Sequence, residues 1–194
     1  MKLTLAIDTS TARTQFAVLS GNELKWLEIE DGATTHGDVL AKFGELASRE
    51  EIDQVIVGMG PGPFTGLRTG IIFAKSFAFA RGLPFHGICS LDAIAFDINL
   101  PEFIIATDAR RKEVYWARYE GGMRVEGPNV SAPDVLSKFL HLPIFGEGAV
   151  KYNLTSDTEH LFPDLASFPK LAESSKIDEP LYLRHPDAVP TAER

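Results

Sequence analysis

The sequence predicts an α/β protein built from two related halves, and three observations carry that expectation. Short apolar or alternating segments that read as strands are interleaved with longer segments whose apolar residues recur every three or four positions. The order strand–strand–strand–helix–strand opens the chain and returns, shortened, from about residue 102. Both halves begin with an apolar strand that ends in aspartate, "AIDTS" at 6–10 and "ATDAR" at 106–110. The pattern points to a duplicated unit with its boundary between 97 and 101. Residues 1–98 are read as the N-terminal lobe and 99–194 as a smaller C-terminal lobe with a tail.

Each element has its own warrant. LTLAID (3–8), QFAVLS (15–20) and LKWLEIE (24–30) are apolar or alternating, and the turn at Gly21–Asn22 separates the last two. A helix is expected over 37–49, with Val39, Leu40, Phe43 and Leu46 on one stripe. QVIVGMG (54–60) reads as a buried strand, and a glycine- and proline-rich loop leads into a helix over 65–82, with Thr65 as its N-cap and Gly82 ending it. FHGIC (85–89) is a short strand and 91–98 a short helix whose N-cap is Ser90. In the second half, strands are expected at 102–109 and 113–120, a turn at Gly121–Gly122, a helix at 133–141 with proline in its first turn, and a buried strand at 143–148. The tail from Pro180 reads as extended, with PLYLR available to dock as a strand.

Composition narrows the function classes. A net charge of −8 makes a poor electrostatic platform for nucleic acid, and no basic cluster stands out beyond Arg110, Arg111 and Lys112. The single cysteine, Cys89, closes an apolar run and reads as a buried, inert thiol; with no internal disulfide possible, a reducing cytoplasm is expected. The opening MKLTLAIDTS has no cleavage-site pattern and no segment is apolar enough to span a bilayer, so neither a signal peptide nor a membrane partner is expected.

The candidate chemistry lies in the paired aspartates. A carboxylate at a strand end can hold a hydrated cation while the following turn amides face phosphate oxygens, and two such strands across a cleft can clamp a nucleotide. Asp8, Thr9 and Ser10 in one half, and Asp108 and Arg110 in the other, form that candidate cleft. The competing reading is an aspartate that starts a turn by accepting backbone N–H bonds. Other chemistries find no support. The loop GMGPGPFTG satisfies neither the phosphate-loop nor the dinucleotide fingerprint. His36 has no second ligand one turn on, so no metal site is expected, and no nucleophile motif occurs.

The helix over 65–82 raises a different question. Gly66, Gly70, Ala74 and Ala78 recur every four residues along one side, bordered by Ile72, Phe73 and Phe77. Each glycine inside a helix costs about 1 kcal/mol relative to alanine, which implies a close backbone approach on that side. A helix of another chain and the molecule's own interior both satisfy the requirement, and the residues leave the two open.

Four stretches, "LAIDTSTARTQFAVL", "GMGPGPFTGLRTGIIFAKSFAFA", "ATDARRKEVYWARY" and "EPLYLRHPDA", occur in an order that resembles the bacterial TsaB (YeaZ) family. The P-G-P-F-T-G-L-R segment is the most specific of them. The resemblance implies an actin-like, Hsp70-like ATPase (ASKHA) fold of two lobes, each a mixed sheet flanked by helices. It implies a non-catalytic subunit that binds and activates TsaD, the transferase that modifies the adenosine next to the tRNA anticodon, together with the ATPase TsaE. Homodimerisation is expected when the partner is absent, tRNA contact is expected to be indirect, and no resident cofactor is expected beyond possible ATP or ADP at the complex interface. On this reading the two long helices form the docking surface, with His36, Leu40, Phe43, Gly66, Gly70, Phe73, Ala74 and Phe77 at the interface and the aspartate cleft as a vestige. Two alternatives remain: an independent ATPase or kinase using Asp8 and Asp108, and a metallopeptidase, which lacks the necessary histidine pair.

Overall fold

The computed structural model describes residues 2–32, 36–155 and 157–184. Strands β1 (Leu3–Asp8), β2 (Thr14–Ser20) and β3 (Glu23–Glu30) form an antiparallel meander. Helix α1 (His36–Ala47) carries the chain to β4 (Gln54–Gly58), parallel to β1, and α2 (Phe64–Arg81) carries it to β5 (Phe85–Ile88), parallel to β4. The resulting sheet has the order β3-β2-β1-β4-β5. After α3 (Ser90–Ala95) the pattern repeats: β6 (Glu102–Asp108), β7 (Val114–Glu120), β8 (Met123–Ser131), a 3-10 segment (Pro133–Phe139) and β9 (Ile144–Phe145) build a second sheet of order β8-β7-β6-β9. β6 is antiparallel to β7 and parallel to β9, as β1 is to β2 and β4. The duplicated unit expected from the two aspartate-ended strands is therefore a repeat of strand order and direction.

The apolar strands are buried on both faces, which is why β1 and β4 read as continuous hydrophobic runs. Leu5, Ile7, Phe16, Val18, Val55 and Val57 face α1 and α2, which supply Leu40, Phe43, Ala47, Leu67, Ile71, Ala74 and Ala78. Ala6, Ala17, Leu19 and Ile56 face the other way, onto Ala93 of α3 and onto Leu165, Phe168 and Leu171. Full burial of each large side chain contributes roughly 1.5–3 kcal/mol. Helix α3 is shared between the sheets, because Leu91, Ile94 and Ala95 pack on Phe103, Ile105 and Tyr119 of the second. A polar clasp fixes this junction: Asp92 accepts from the Tyr119 hydroxyl at 2.8 Å and from Arg124 at 2.9 and 3.3 Å.

Several local expectations are corrected. Pro63, not Thr65, is the N-cap of α2, whereas Gly82 ends the helix as expected, at φ 64° with its N–H on the last carbonyls. Cys89 is the residue before α3, and Ser90 lies inside the helix with its hydroxyl committed elsewhere. The segment after β8 is 3-10 rather than α-helical. The strand expected at 143–148 is confined to Ile144–Phe145, and its last residues open α4 (Glu147–Lys151); the 3-10 turn Leu165–Ser167 and α5 (Phe168–Ser174) carry no expectation from the sequence. The last two, numbered in the expected C-terminal lobe, cover the first sheet instead. The chain then runs back along that sheet: Ile177 bridges the edge strand β5 at Gly87, and the Leu181 amide donates to the Met59 carbonyl at 2.8 Å. Residues 181–184 thus dock without forming a strand, and the rest of the expected tail lies outside the described residues.

Candidate functional site

The strand-end aspartates occupy equivalent positions, and each starts a turn. The Ser10 amide donates to Asp8 at 2.8 Å, and the Arg110 amide donates to Asp108 at 3.1 Å. Around Asp8 two side-chain hydroxyls add to that bond. The Ser10 hydroxyl donates to the same carboxylate oxygen at 2.6 Å, and the Ser90 hydroxyl donates to the other at 2.7 Å. Asp8 is fully buried, and burial pushes its carboxyl above the usual carboxylate range against the pull of those hydrogen bonds. Thr9 turns away from the cleft, donating to the Gly66 carbonyl at 2.8 Å.

In the second half, Lys151 Nζ lies 2.5 Å from Asp108 and the Tyr152 hydroxyl donates to it at 2.9 Å. The Arg110 side chain is 4.0 Å away, and the Asp108 amide donates to Glu147 at 2.8 Å. Burial raises the Glu147 carboxyl, and the hydrogen bond to Asp108 raises the Lys151 ammonium. The two halves close on each other through Tyr115, whose hydroxyl donates to the Gly62 carbonyl at 3.3 Å. These residues do not fit a cation-and-phosphate clamp: the Asp8 carboxylate is sealed under its own hydroxyls, and Asp108 is engaged by its own lysine and tyrosine. The turn reading of both aspartates accounts for the geometry.

The predicted docking residues divide by helix face. Gly66, Gly70 and Ala74 are buried within the molecule, with Leu40 and Phe43 of α1. A methyl group on Gly70 would lie 2.2 Å from the Thr9 hydroxyl, and one on Gly66 would lie 2.8 Å from His36 Nε2. The close approach that the glycines demand is made by the chain's own β1–β2 turn and α1, so these residues cannot face a visitor. His36 is half-buried, with Nδ1 hydrogen-bonded to the Thr14 hydroxyl at 2.6 Å; burial and then the Arg110 charge hold its pKa below the ordinary value. Phe73 and Phe77 are half-buried between the two faces, 6.2 Å apart, and Phe73 seats against Gly44 of α1.

The opposite face of α2 is open. Phe64, Thr65, Arg68, Thr69, Ile72, Phe73 and Ser76 line a groove of about 660 Å³. Their spacing of one, three or four residues keeps them on one side of the helix. Ile72 is 50% exposed and Phe79, further along, is 90% exposed. Phe64, Thr65, Arg68, Thr69, Ser76 and Phe79 were not among the residues expected on this face. The signal that could have found them is the complement of the glycine stripe: if the small residues face inward, the residues on the other side of the turn face out. Cys89 is fully buried, as expected, and burial pushes its thiol up to about 12. Among the described residues no group of three His, Cys, Asp or Glu side chains could hold a metal, and no helix is long and apolar enough to cross a membrane.

The family model described as TsaD, tRNA N6-adenosine threonylcarbamoyltransferase, matches residues 40–173. A Haemophilus influenzae protein named tRNA threonylcarbamoyladenosine biosynthesis protein TsaB is 32% identical over 123 residues, covering 59% of this chain and 52% of that protein. The chain belongs to this family, as a TsaB (YeaZ) member. A Mycobacterium leprae relative is 38% identical over 206 residues, 98% of this chain, and this chain spans 57% of its length. The chain thus spans about half the length of these two relatives. The solved structure titled YeaZ from Pseudomonas aeruginosa superposes with a TM-score of 0.71 at 23% identity, covering 94% of this chain and all of that one. That likeness is one of fold. The fold is the α/β architecture shared with that structure, two mixed sheets flanked by helices.

Proposed function

We propose that this chain is a non-catalytic subunit in tRNA threonylcarbamoyladenosine biosynthesis, which binds and activates a TsaD-type threonylcarbamoyl transferase. The observation that carries the reading is the pairing of an open apolar face on α2 with a cleft whose strand-end aspartates are spent on internal hydrogen bonds. Chemistry is left to a companion, and the groove over Phe64, Arg68, Ile72 and Phe73 is the seat for one of its helices. An exposed arginine beside partly exposed aromatic rings along one helix face is a combination that can anchor such a contact. TsaE joins the assembly, a second copy of this chain occupies the same face when the partner is absent, and the net charge of −8 leaves tRNA to the other subunits.

The test is reconstitution. The purified chain alone transfers no threonylcarbamoyl group to tRNA, and its addition to a TsaD-type protein with TsaE, ATP and threonylcarbamoyl adenylate raises the rate of tRNA modification. Transfer by the chain alone, or a rate indifferent to its addition, overturns the proposal.

A further inference from the structure

The β6–β7 hairpin turns through Arg110, Arg111 and Lys112, and all three take the left-handed conformation, at φ 61°, 52° and 60°. There the Cβ of an L-residue crowds the following carbonyl oxygen, so each position carries a steric cost that glycine escapes. The next hairpin of the same sheet, β7–β8, turns through Gly121 and Gly122 at φ 56° and 77°, with open space around both. The other described non-glycine residues at positive φ, Asn153 and His160, stand singly. One turn of the sheet therefore uses glycine, and the other holds three consecutive cationic side chains against the backbone preference. Left-handed non-glycine residues persist where the side chain serves something besides the turn.

The tip is firmly held. The Ala109 amide donates to the Glu113 carbonyl at 2.9 Å, the Glu113 amide donates to the Arg110 carbonyl at 3.0 Å, and Arg184 donates to the Ala109 carbonyl at 2.9 Å. The two carboxylates that flank the tip are each met by a cation from another element, Asp108 by Lys151 of α4 and Glu113 by Arg184. Arg110, Arg111 and Lys112 are all exposed. With Lys151 and Arg184 they make five cations beside three carboxylates (Asp108, Glu113 and Glu147), in a chain that carries 19 cations and 27 carboxylates in all. The Arg110 charge is felt across the cleft, where it adds to burial in lowering the pKa of His36. A rigid basic turn on an acidic chain suits a polyanion with discrete, closely spaced charges.

We infer that the β6–β7 tip contacts the phosphodiester backbone of the RNA substrate, with Arg111 and Lys112 each engaging one phosphate. The inference rests on the reading of the chain as a subunit of a tRNA-modifying assembly and adds a direct contact to it. The net charge of −8 excludes a broad nucleic-acid platform, and two point contacts on one hairpin need none. Cations on phosphates fix position without reading sequence, so the contact orients the RNA while the main grip and the chemistry stay with the companion subunits.

The test replaces Arg111 and Lys112 together by glycine, the residue of the sister hairpin. The full chain, assembled with a TsaD-type partner and TsaE, is titrated with unmodified tRNA over a range of salt concentrations, and the KM for tRNA in threonylcarbamoyl transfer is measured alongside. Loss of two phosphate contacts makes the slope of log affinity against log salt shallower by about 1.4–1.8 and raises KM roughly twentyfold at about 0.15 M salt, with kcat unchanged. The unfolding midpoint of the free chain holds or rises, because the left-handed positions no longer carry a Cβ. The charge-preserving exchange of Arg111→Lys with Lys112→Arg retains the original slope. ATP and inorganic phosphate at matched ionic strength do not displace the tRNA; displacement by either would assign the tip to a small anion and overturn the RNA contact. An unchanged slope and KM in the glycine variant, or a lowered midpoint, also overturns it, and if the unsubstituted chain still raises the partner's rate the subunit role stands. An unsubstituted chain that leaves that rate unaltered overturns both.

Discussion

Replacing Gly70 by alanine is the sharpest probe of how α2 is seated. On an open helix the change is stabilising by about 1 kcal/mol, because alanine loses less backbone freedom than glycine. Here the new methyl would lie 2.2 Å from the Thr9 hydroxyl, 3.0 Å from its Cγ2 and 3.2 Å from its Cβ. Thr9 is buried, short and β-branched, so it has no long arm to swing aside. Moving it breaks its 2.8 Å bond to the Gly66 carbonyl, which leaves a buried hydroxyl unpaired at about 1–3 kcal/mol. Forcing an extra carbon into a packed site adds about 1–3 kcal/mol. Against the propensity gain the net effect is a loss of about 1–5 kcal/mol, read as a lower urea midpoint at unchanged slope for the isolated chain. In a Thr9→Ala background the hydroxyl and Cγ2 are gone and only Cβ, at 3.2 Å, remains, so Gly70→Ala loses most of its cost. A stabilising Gly70→Ala in the unsubstituted chain would refute the reasoning, because it would mean that this side of α2 does not rest on the β1–β2 turn.

Three further outcomes follow from the same contacts. Asp8→Ala removes the acceptor of the Ser10 and Ser90 hydroxyls and destabilises the chain by about 3 kcal/mol in the absence of any nucleotide; an unchanged unfolding midpoint would mean that the carboxylate serves a ligand and not the fold. Asp92→Ala frees Tyr119 and Arg124 at the junction of the sheets and costs about 3 kcal/mol, while Tyr119→Phe costs about 1 kcal/mol, both by denaturant titration; equal effects would contradict the shared-acceptor geometry. His36 has a folded pKa held below 6.5, so the unfolded chain binds more protons there and the His36 share of stability is lost as pH falls below about 6.5. The groups facing it are Thr14, Arg110 and the Gly66 backbone, and Asp8, whose raised pKa acts in the opposite sense, is common to both proteins when the chain is compared with His36→Asn. The variant has a flatter stability profile between pH 7.5 and 5.5, and an identical profile would remove His36 as the cause.

Much of the architecture was legible because strands buried on both faces leave continuous apolar runs, as in LTLAID and QVIVG, and because Gly82 punctuates the end of α2 unambiguously. The duplicated half was visible from the recurring element order and the two aspartate-ended strands, and the sheets repeat the same strand order. The region 147–174 escaped because its helices are only five and seven residues long, too short to show a helical period. The 3-10 turn at 133–139 carries the same proline start as an α-helix, so local sequence does not separate the two.

At the candidate site the outcome was divided for a physical reason. A stripe of Gly66, Gly70 and Ala74 reports that some backbone or side chain comes close, but not whose, and Thr9 and His36 are far away in sequence. The exposed face opposite, with Arg68, Ile72 and Phe79, follows only once the inward side is known. The docking of Tyr182 on Phe64 depends on where α5 and the segment after it pass, which no local pattern encodes.

The measurement that bears most directly on the whole account is the dissociation constant of a TsaD-type partner for the unsubstituted chain and for Ile72→Asp, with the unfolding midpoint of each recorded alongside. A carboxylate placed on the exposed apolar row is harmless to the free chain and must be desolvated in the complex, so affinity falls roughly a hundredfold while the midpoint stays put. An Ile72→Asp chain that binds as tightly as the original would contradict the central claim that the outer face of α2 is where the companion subunit sits.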